Sequence, residues 1–328
     1  LVHLGSRAVG GAGLVIAEMT DVQAIGRITP GCAGLYEDAH VGPWKRVVDF
    51  CHRHSEAKIG VQLAHAGRKG ATHRLWEGHG KPLPTAEQWP LLAPSALPFY
   101  VDGPVPKAMD RADMDAVRDD FVRAAERAEA AGFDLIELHL AHGYLLSSFL
   151  SPLSNVRTDA CGGPLADRLR FPLEVCHAVR AVWPAHKPMA VRISACDWVP
   201  GGFDGDDAVA VAKALKAAGA DLIDVSTGGN HRDQQPVYGR MYQLPFAERV
   251  RLEADIATMT VGGVTSHADA NSALAAGRAD LVALARAHLE DPYWTRHAAR
   301  DQGVDPRWPK QYSVLPHFKP RFDWAREG

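Results

Sequence analysis

No apolar run in the 328-residue chain approaches the roughly 20 residues needed to cross a bilayer, and no secretory core opens it. Basic charge is not in excess either. The 36 Lys and Arg face 39 Asp and Glu, a net charge of −3, which gives no electrostatic reason to expect nucleic acid as a partner. Cysteine is scarce and scattered: Cys32, Cys51, Cys161, Cys176 and Cys196 are odd in number and never form a C-x-x-C pair. That argues against a disulfide framework and against a zinc or iron–sulfur site, so buried thiols in a reducing, cytoplasmic compartment are expected. The dinucleotide fingerprint G-x-G-x-x-G is missing from its place, because Gly10-Gly11-Ala12-Gly13 lies before a strand rather than after one. Strand lysines are missing too, apart from Lys58 at an N-terminal strand end, which disfavours a Schiff-base aldolase barrel.

The sequence does carry a rhythm. Short runs rich in Val, Ile and Leu at 13–19, 58–63, 134–140, 189–194, 221–226, 258–263 and 280–286 read as parallel strands buried on both faces. Amphipathic helices alternate with them. The segment 113–131 places Met114, Val117, Phe121, Ala124, Ala125 and Ala128 on one stripe, and Gly132 follows as a left-handed cap. Helices over 207–218 and 268–276 repeat the device with Gly219 and Gly277. Such αβ repeats imply a parallel sheet with right-handed crossovers. Seven strands are visible, and residues 1–11 read as the end of a helix. A strand ahead of that helix would make eight, so the expected fold is a (β/α)8 TIM barrel whose first strand is missing from this chain. The barrel would span 1–303. A long insertion at 70–107, bearing Trp76 and Trp89, would lie on its active-site face, and 304–328 would form a C-terminal extension.

The strongest chemical constellation is His139-Leu140-Ala141-His142-Gly143-Tyr144 at the carboxyl end of the 134–140 strand. Positions three apart point to opposite faces of a strand, so the imidazoles converge only if the chain turns after Leu140, where Gly143 suits a turn. Two imidazole N–H donors and a phenol can polarise a carbonyl oxygen and deliver a proton to a carbon nearby. A structural turn with incidental histidines is the competing reading, and a metal site lacks its third ligand. Gln62 ends one strand, where its amide could meet a planar heterocycle or serve the fold alone. Arg192 stands inside an apolar strand, where a guanidinium demands an anionic or acceptor partner. Gly262-Gly263 and Ala285-Arg286 follow the last two strands, where barrels often hold phosphate through backbone N–H groups.

These residues sit within blocks that resemble the Old Yellow Enzyme family of FMN-dependent ene-reductases and NADH:flavin oxidoreductases. The blocks are Gly26-Arg27-Ile28-Thr29, Gln62 through Lys69 (QLAHAGRK), and the His139 to Tyr144 motif running on to Phe149-Leu150-Ser151-Pro152-Leu153-Ser154-Asn155. Arg157-Thr158-Asp159, Gly162-Gly163, Arg168, Arg170-Phe171 and Gly277-Arg278-Ala279-Asp280 continue them, so the likeness covers nearly the whole barrel. It implies FMN as cofactor, with Gln62 and Arg192 at the flavin pyrimidine edge and the backbone around Met19 near N5. Gly262, Gly263, Ala285 and Arg286 would hold its phosphate. It further implies that His139 and His142 bind the substrate oxygen, that Tyr144 donates a proton, and that hydride passes from NAD(P)H through flavin N5 to an activated C=C.

Three departures stand out. The family's first strand and the loop after it have no counterpart, Ala285 replaces a common Gly, and Gln311-Tyr312 is followed by Ser313-Val314-Leu315 rather than by an Arg reaching into a neighbouring subunit. The stretch Trp76-Glu77-Gly78, Pro82-Leu83, Trp89 and residues 238–243 resemble the reductase-type half of bifunctional aryl-CoA monooxygenases (the salicylyl-CoA 5-hydroxylase and anthraniloyl-CoA monooxygenase group). The partners this implies are a small enone-like or aryl-CoA-derived substrate and either a homo-oligomer or a fused monooxygenase domain, with no nucleic acid and no membrane. An inactive ligand-binding barrel is the alternative from another class.

Overall fold

The structure, a computed structural model, describes residues 1–305 and 307–317. Seven strands lie side by side in chain order and all parallel: β1 (Leu14–Asp21), β2 (Lys58–Ala64), β3 (Leu135–Leu140), β4 (Met189–Ser194), β5 (Leu222–Ser226), β6 (Ala257–Val261) and β7 (Leu281–Ala283). Helices cross between them, among them α1 (Val2–Val9), α2 (Val41–His54), α3 (Arg111–Ala131), α4 (Arg170–Val182), α5 (Gly205–Ala217), α6 (Leu244–Ala254) and α7 (His267–Ala275). The architecture is a (β/α)8 barrel.

The two edges of the sheet differ in detail from the strand pattern of the sequence. The eighth member of the sheet is the two-residue Ala33–Gly34, paired with Thr20 and Asp21 on the outer edge of β1. The last strand is also shorter than 280–286, because Ala285 already caps the helical turn Arg286–Glu290. Among the described residues no ladder joins β7 to β1. Side chains meet there instead: Leu14 and Ile16 of β1 and Ala283 of β7 pack on one apolar plug with Leu135, Ala190, Leu222 and Met259.

Outward-facing strand residues meet the helices. The α3 stripe Met114, Val117, Phe121, Ala124, Ala125 and Ala128 is fully buried, and removing a ring such as Phe121 costs about 3–5 kcal/mol. Asp110 caps α3 by accepting from Asp113 N at 2.9 Å, and Gly132 ends it at φ 89°. Inward-facing residues come in layers because side chains alternate along a strand. The lowest holds Leu135, Ala190, Leu222 and Met259. Above lie Glu137, Arg192 and Asp224, and at the carboxyl ends of the strands His139, Ser194 and Ser226. The cysteines differ from expectation in degree: all five are free thiols, but only Cys51, Cys161 and Cys176 are buried, while Cys32 and Cys196 are half-buried.

The 70–107 segment carries the helical turn Leu75–Gly78 and a two-stranded ladder of Leu92–Ala93 with Lys107–Ala108. Its two tryptophans behave differently. Trp76 is 81% exposed, whereas the Arg27 guanidinium lies 4.7 Å over the Trp89 ring. Residues 306 and 318–328, part of the expected C-terminal extension, lie outside the described residues. Among those described, no helix is long and apolar enough to cross a membrane.

Candidate active site

The chain leaves β3 through a turn with His142 at φ 61° and Gly143 at φ 71°. Only a residue without Cβ fits at Gly143, since an added carbon would lie 2.6 Å from Asn230 Cα and from Gly229 O. A Cβ on the opposing Gly229, at φ 89°, would likewise lie 2.6 Å from His142 Cα, so the two turns interlock. Lys69 pins them from the side, its Nζ donating to His142 O and to Gly229 O at 2.7 Å each. The same amine lies 4.5 Å from the Phe99 ring centre and 5.1 Å from that of Tyr144. Burial, aided by the charge on Arg68, pushes the Lys69 amine down to about 7.

This turn brings the two imidazoles together as the sequence spacing required. The hydrogen bonds around them also order their protons. Ala141 N–H donates to His139 Nδ1 at 3.1 Å, so that nitrogen is bare and His139 carries its proton on Nε2. His139 Nε2–H then donates to His142 Nδ1 at 3.3 Å, which leaves the His142 proton on Nε2, donating to Ser226 Oγ at 2.7 Å. Ser226 passes its hydroxyl proton to Gln243 Oε1 at 3.2 Å, and Gln243 Nε2 donates to Val261 O at 2.6 Å. Burial, reinforced by the Arg192 and Lys69 charges, holds both imidazoles well below their ordinary pKa, hence neutral at pH 7. The pair is therefore a donor and an acceptor to each other, not two free donors aimed at one point. A substrate oxygen can take the His139 proton only by replacing His142 as acceptor.

Tyr144 completes the group, with its ring centre 5.0 Å from His139 and 6.5 Å from His142, edge to face. It packs on Met19, Ala64, Ala66 and Ile28, and burial drives its hydroxyl well above the usual phenol pKa. At neutral pH the phenol keeps its proton.

The other expected residues are distributed around this centre. Gln62 is buried and its Nε2 donates to Glu137 Oε1 at 2.7 Å. Arg192 finds its anion in Asp224, with Nε 3.1 Å from Oδ2, although the contact is not aligned as a hydrogen bond. Gly262 and Gly263 have φ of 97° and 68°, and a Cβ on either would strike Gln243 or the Gly239 carbonyl. Ala285 and Arg286 follow β7, the neighbour of β6, so the two pairs emerge from adjacent strand ends.

Sequence reading missed Lys69, Glu137, Ser194, Asp224 and Ser226 as site residues. Ser194 Oγ accepts from His142 N–H at 2.9 Å and donates to Gly228 O at 2.8 Å. A signal existed for the strand residues: each lies two positions from His139, Arg192 or another inward residue, on the same strand face. Lys69 carried none, since only the tertiary fold puts it under the His142 carbonyl.

Arg192, part-exposed and ion-paired through Nε to Asp224, fits a ligand whose acceptor edge meets the rest of its guanidinium. The left-handed glycines beyond β6 and the Ala285–Arg286 turn beyond β7 put backbone N–H groups at adjacent strand ends, a setting in which barrels hold phosphate. These features suit a flavin mononucleotide, with a planar polar-edged ring and a phosphate. Residues 1–303 match the NADH:flavin oxidoreductase / NADH oxidase family. The chain belongs to that family. It is an FMN-dependent NAD(P)H oxidoreductase of the Old Yellow Enzyme type. The NADPH dehydrogenase of Listeria innocua serovar 6a is 44% identical over 311 residues, 95% of this chain and 86% of that protein. A solved structure of morphinone reductase aligns with a TM-score of 0.73 at 27% identity, covering 92% of this chain and 80% of that one. The structure of a 2-naphthoyl-CoA reductase aligns with a TM-score of 0.80 over 92% of this chain. This chain spans only 46% of that protein and is 24% identical to it, a likeness of fold alone.

Proposed function

We propose that this barrel reduces an activated C=C of an enone-like substrate at the expense of NADPH or NADH. The observation that carries the reading is the ordered pair of neutral imidazoles beside a phenol that keeps its proton. His139 and His142 receive the substrate's carbonyl oxygen, which replaces His142 Nδ1 as the acceptor of His139 Nε2–H, and that N–H stabilises the negative charge that grows there. Tyr144 gives its proton to the carbon next to that carbonyl. Met19 (through its backbone), Gln62, Arg192, Gly262, Gly263, Ala285 and Arg286 would hold FMN. FMN, when bound, supplies the hydride transfer between nicotinamide and substrate. The relative's name, NADPH dehydrogenase, favours NADPH as donor. Five free thiols suit a reducing compartment such as the cytoplasm.

A thioester substrate is the second reading, favoured by cations among the loops that follow the strands. Arg27 stacks on Trp89, and Arg232 lies 5.8 Å from the Tyr100 ring centre, so both could meet a phosphate-bearing tail. The test is anaerobic. Chain reconstituted with FMN should bleach on NADPH and recover colour on 2-cyclohexenone or, for the second reading, an unsaturated acyl-CoA. Tyr144→Phe should slow recovery by about 10²-fold or more while leaving bleaching unchanged. A chain that takes up no FMN, or recovery indifferent to His139→Ala, would sink the assignment.

A further inference from the structure

Below the histidines, inward residues of four neighbouring strands form one connected line. Gln62 on β2 donates to Glu137 Oε1 on β3, and Asp224 Oδ2 on β5 lies 3.1 Å from Arg192 Nε on β4. Between Glu137 and Leu222 the ladders place Ala190, whose methyl is too small to keep its neighbours apart. Over it the carboxyl groups of Glu137 and Asp224 come within hydrogen-bonding reach of each other. Two oxygens in this line have no donor, Glu137 Oε2 and Asp224 Oδ1, and both are shielded from solvent.

Two carboxylates in contact inside a barrel cannot both stay ionised. Beneath them lies the apolar plug. Ile16 of β1 and Met259 of β6 belong to that plug and do not titrate, and the next inward residue of β1, Glu18, is exposed. Among the described residues Arg192 is the one cation facing the pair, His139 above is neutral, and Gln62 carries no charge. A single proton between the two orphaned oxygens supplies both with a partner and removes the repulsion. Asp224 has the guanidinium beside it, so Asp224 keeps the charge and Glu137 the proton. Burial and the neighbouring Asp224 charge push the Glu137 acid up to about 8.

We propose that Glu137 and Asp224 share one proton, donated by Glu137, and that this pair orients Arg192 and sets the net charge it presents to the FMN site. Both are positioning residues. The inference rests on the reading that FMN lies against Arg192. With the proton in place, Arg192 and the pair sum to zero; without it they sum to −1. A flavin that gains negative charge on reduction is disfavoured by that extra charge, so reduced FMN loses affinity relative to oxidised FMN as the proton leaves.

The experiment compares wild type, Glu137→Gln and Asp224→Asn as full chains. It follows the ratio of reduced to oxidised FMN affinity, read from the flavin reduction potential, between pH 6 and pH 9.5. In wild type the ratio should fall with a slope approaching tenfold per pH unit while the proton is lost, beyond the pH dependence shared with Glu137→Gln. Glu137→Gln keeps the neutral shape but has no proton to lose. It should match wild type within about threefold at pH 6 and show no additional fall. Asp224→Asn leaves Arg192 unbalanced while Glu137 keeps its proton, and should favour reduced FMN about tenfold or more at pH 6. Superimposable wild-type and Glu137→Gln profiles overturn the proposal. Denaturation without added FMN tests the shared proton separately. A group raised in the folded state contributes stability below its unfolded pKa and loses it as pH rises through the folded value. Wild type should therefore lose stability relative to Glu137→Gln between pH 5 and pH 8, and parallel curves refute the shared proton. Failure of wild type to take up FMN overturns the proposed function and the role of Arg192 with it, while the denaturation curves still decide the shared proton.

Discussion

Lys69→Met exchanges a buried amine for an apolar chain of similar length, and its effect should depend on pH in a defined direction. In the folded protein the amine is pushed down from its ordinary 10.5 to about 7 by burial and by Arg68. The unfolded chain keeps the ordinary value, so between pH 7 and 10.5 the unfolded state binds the extra proton. Stability supplied by wild-type Lys69 therefore rises with pH across that window and is flat below it. The full slope is about 1.4 kcal/mol per pH unit and about half that at pH 7, so wild-type stability minus that of Lys69→Met should rise by about 2 kcal/mol from pH 7 to pH 9. On top of this comes a pH-independent loss: the carbonyls of His142 and Gly229 each lose a donor, at about 1–3 kcal/mol apiece. Urea denaturation at half-unit pH steps measures both, as an offset and as a slope. Parallel curves for the two proteins between pH 7 and pH 9 would refute the reasoning, because they would mean that the amine pays nothing for its burial.

Other predictions concern the turn and the acids around it. Ser226→Ala strips the acceptor from His142 Nε2–H, costing about 1–3 kcal/mol and releasing the tautomer. Histidine nitrogen NMR should then show His142 with a mixed proton position, and an unchanged Nε2–H signal counts against the deduced chain. Gly143→Ala adds about 1–2 kcal/mol of left-handed strain to about 1–3 kcal/mol of overpacking against Asn230. It should lower the melting temperature and weaken substrate binding together; a normal melt would show that the interlocked turns yield easily. Asp21 sits fully buried with both carboxyl oxygens unpartnered, and burial, opposed only by Arg27, raises it to about 8. Its folded form is penalised increasingly from about pH 4 to pH 8, so Asp21→Asn should gain on wild type by about 1.4 kcal/mol per pH unit across that range. Equal pH dependence in the two proteins would contradict this.

The αβ rhythm, the buried stripe of α3 and the glycine caps at Gly132, Gly219 and Gly277 were all legible in the chain, because each rests on local periodicity or local backbone preference. So was the turn that joins His139 to His142, since the strand period leaves no other way to bring them together. The end of the barrel was less legible. The short β7 and the two-residue Ala33–Gly34 edge depend on where a cap begins and where a loop returns, and neither leaves a hydrophobic period. Residue spacing marked Arg192 as needing an anion but did not say which, and Asp224 became the partner only through the β4–β5 register.

By itself, then, the sequence determined the barrel, the inward and outward faces of its strands and the His139–His142–Tyr144 cluster, all of which follow from contacts within a few residues. The tertiary structure alone decided which imidazole nitrogen holds each proton, why Lys69 is anchored beneath the turn and how Glu137 meets Asp224 over Ala190. The physical reason is range. Proton position and charge pairing are set by whichever group lies within about 3 Å, and here those groups come from strands and loops tens of residues apart, brought together only when the sheet curls.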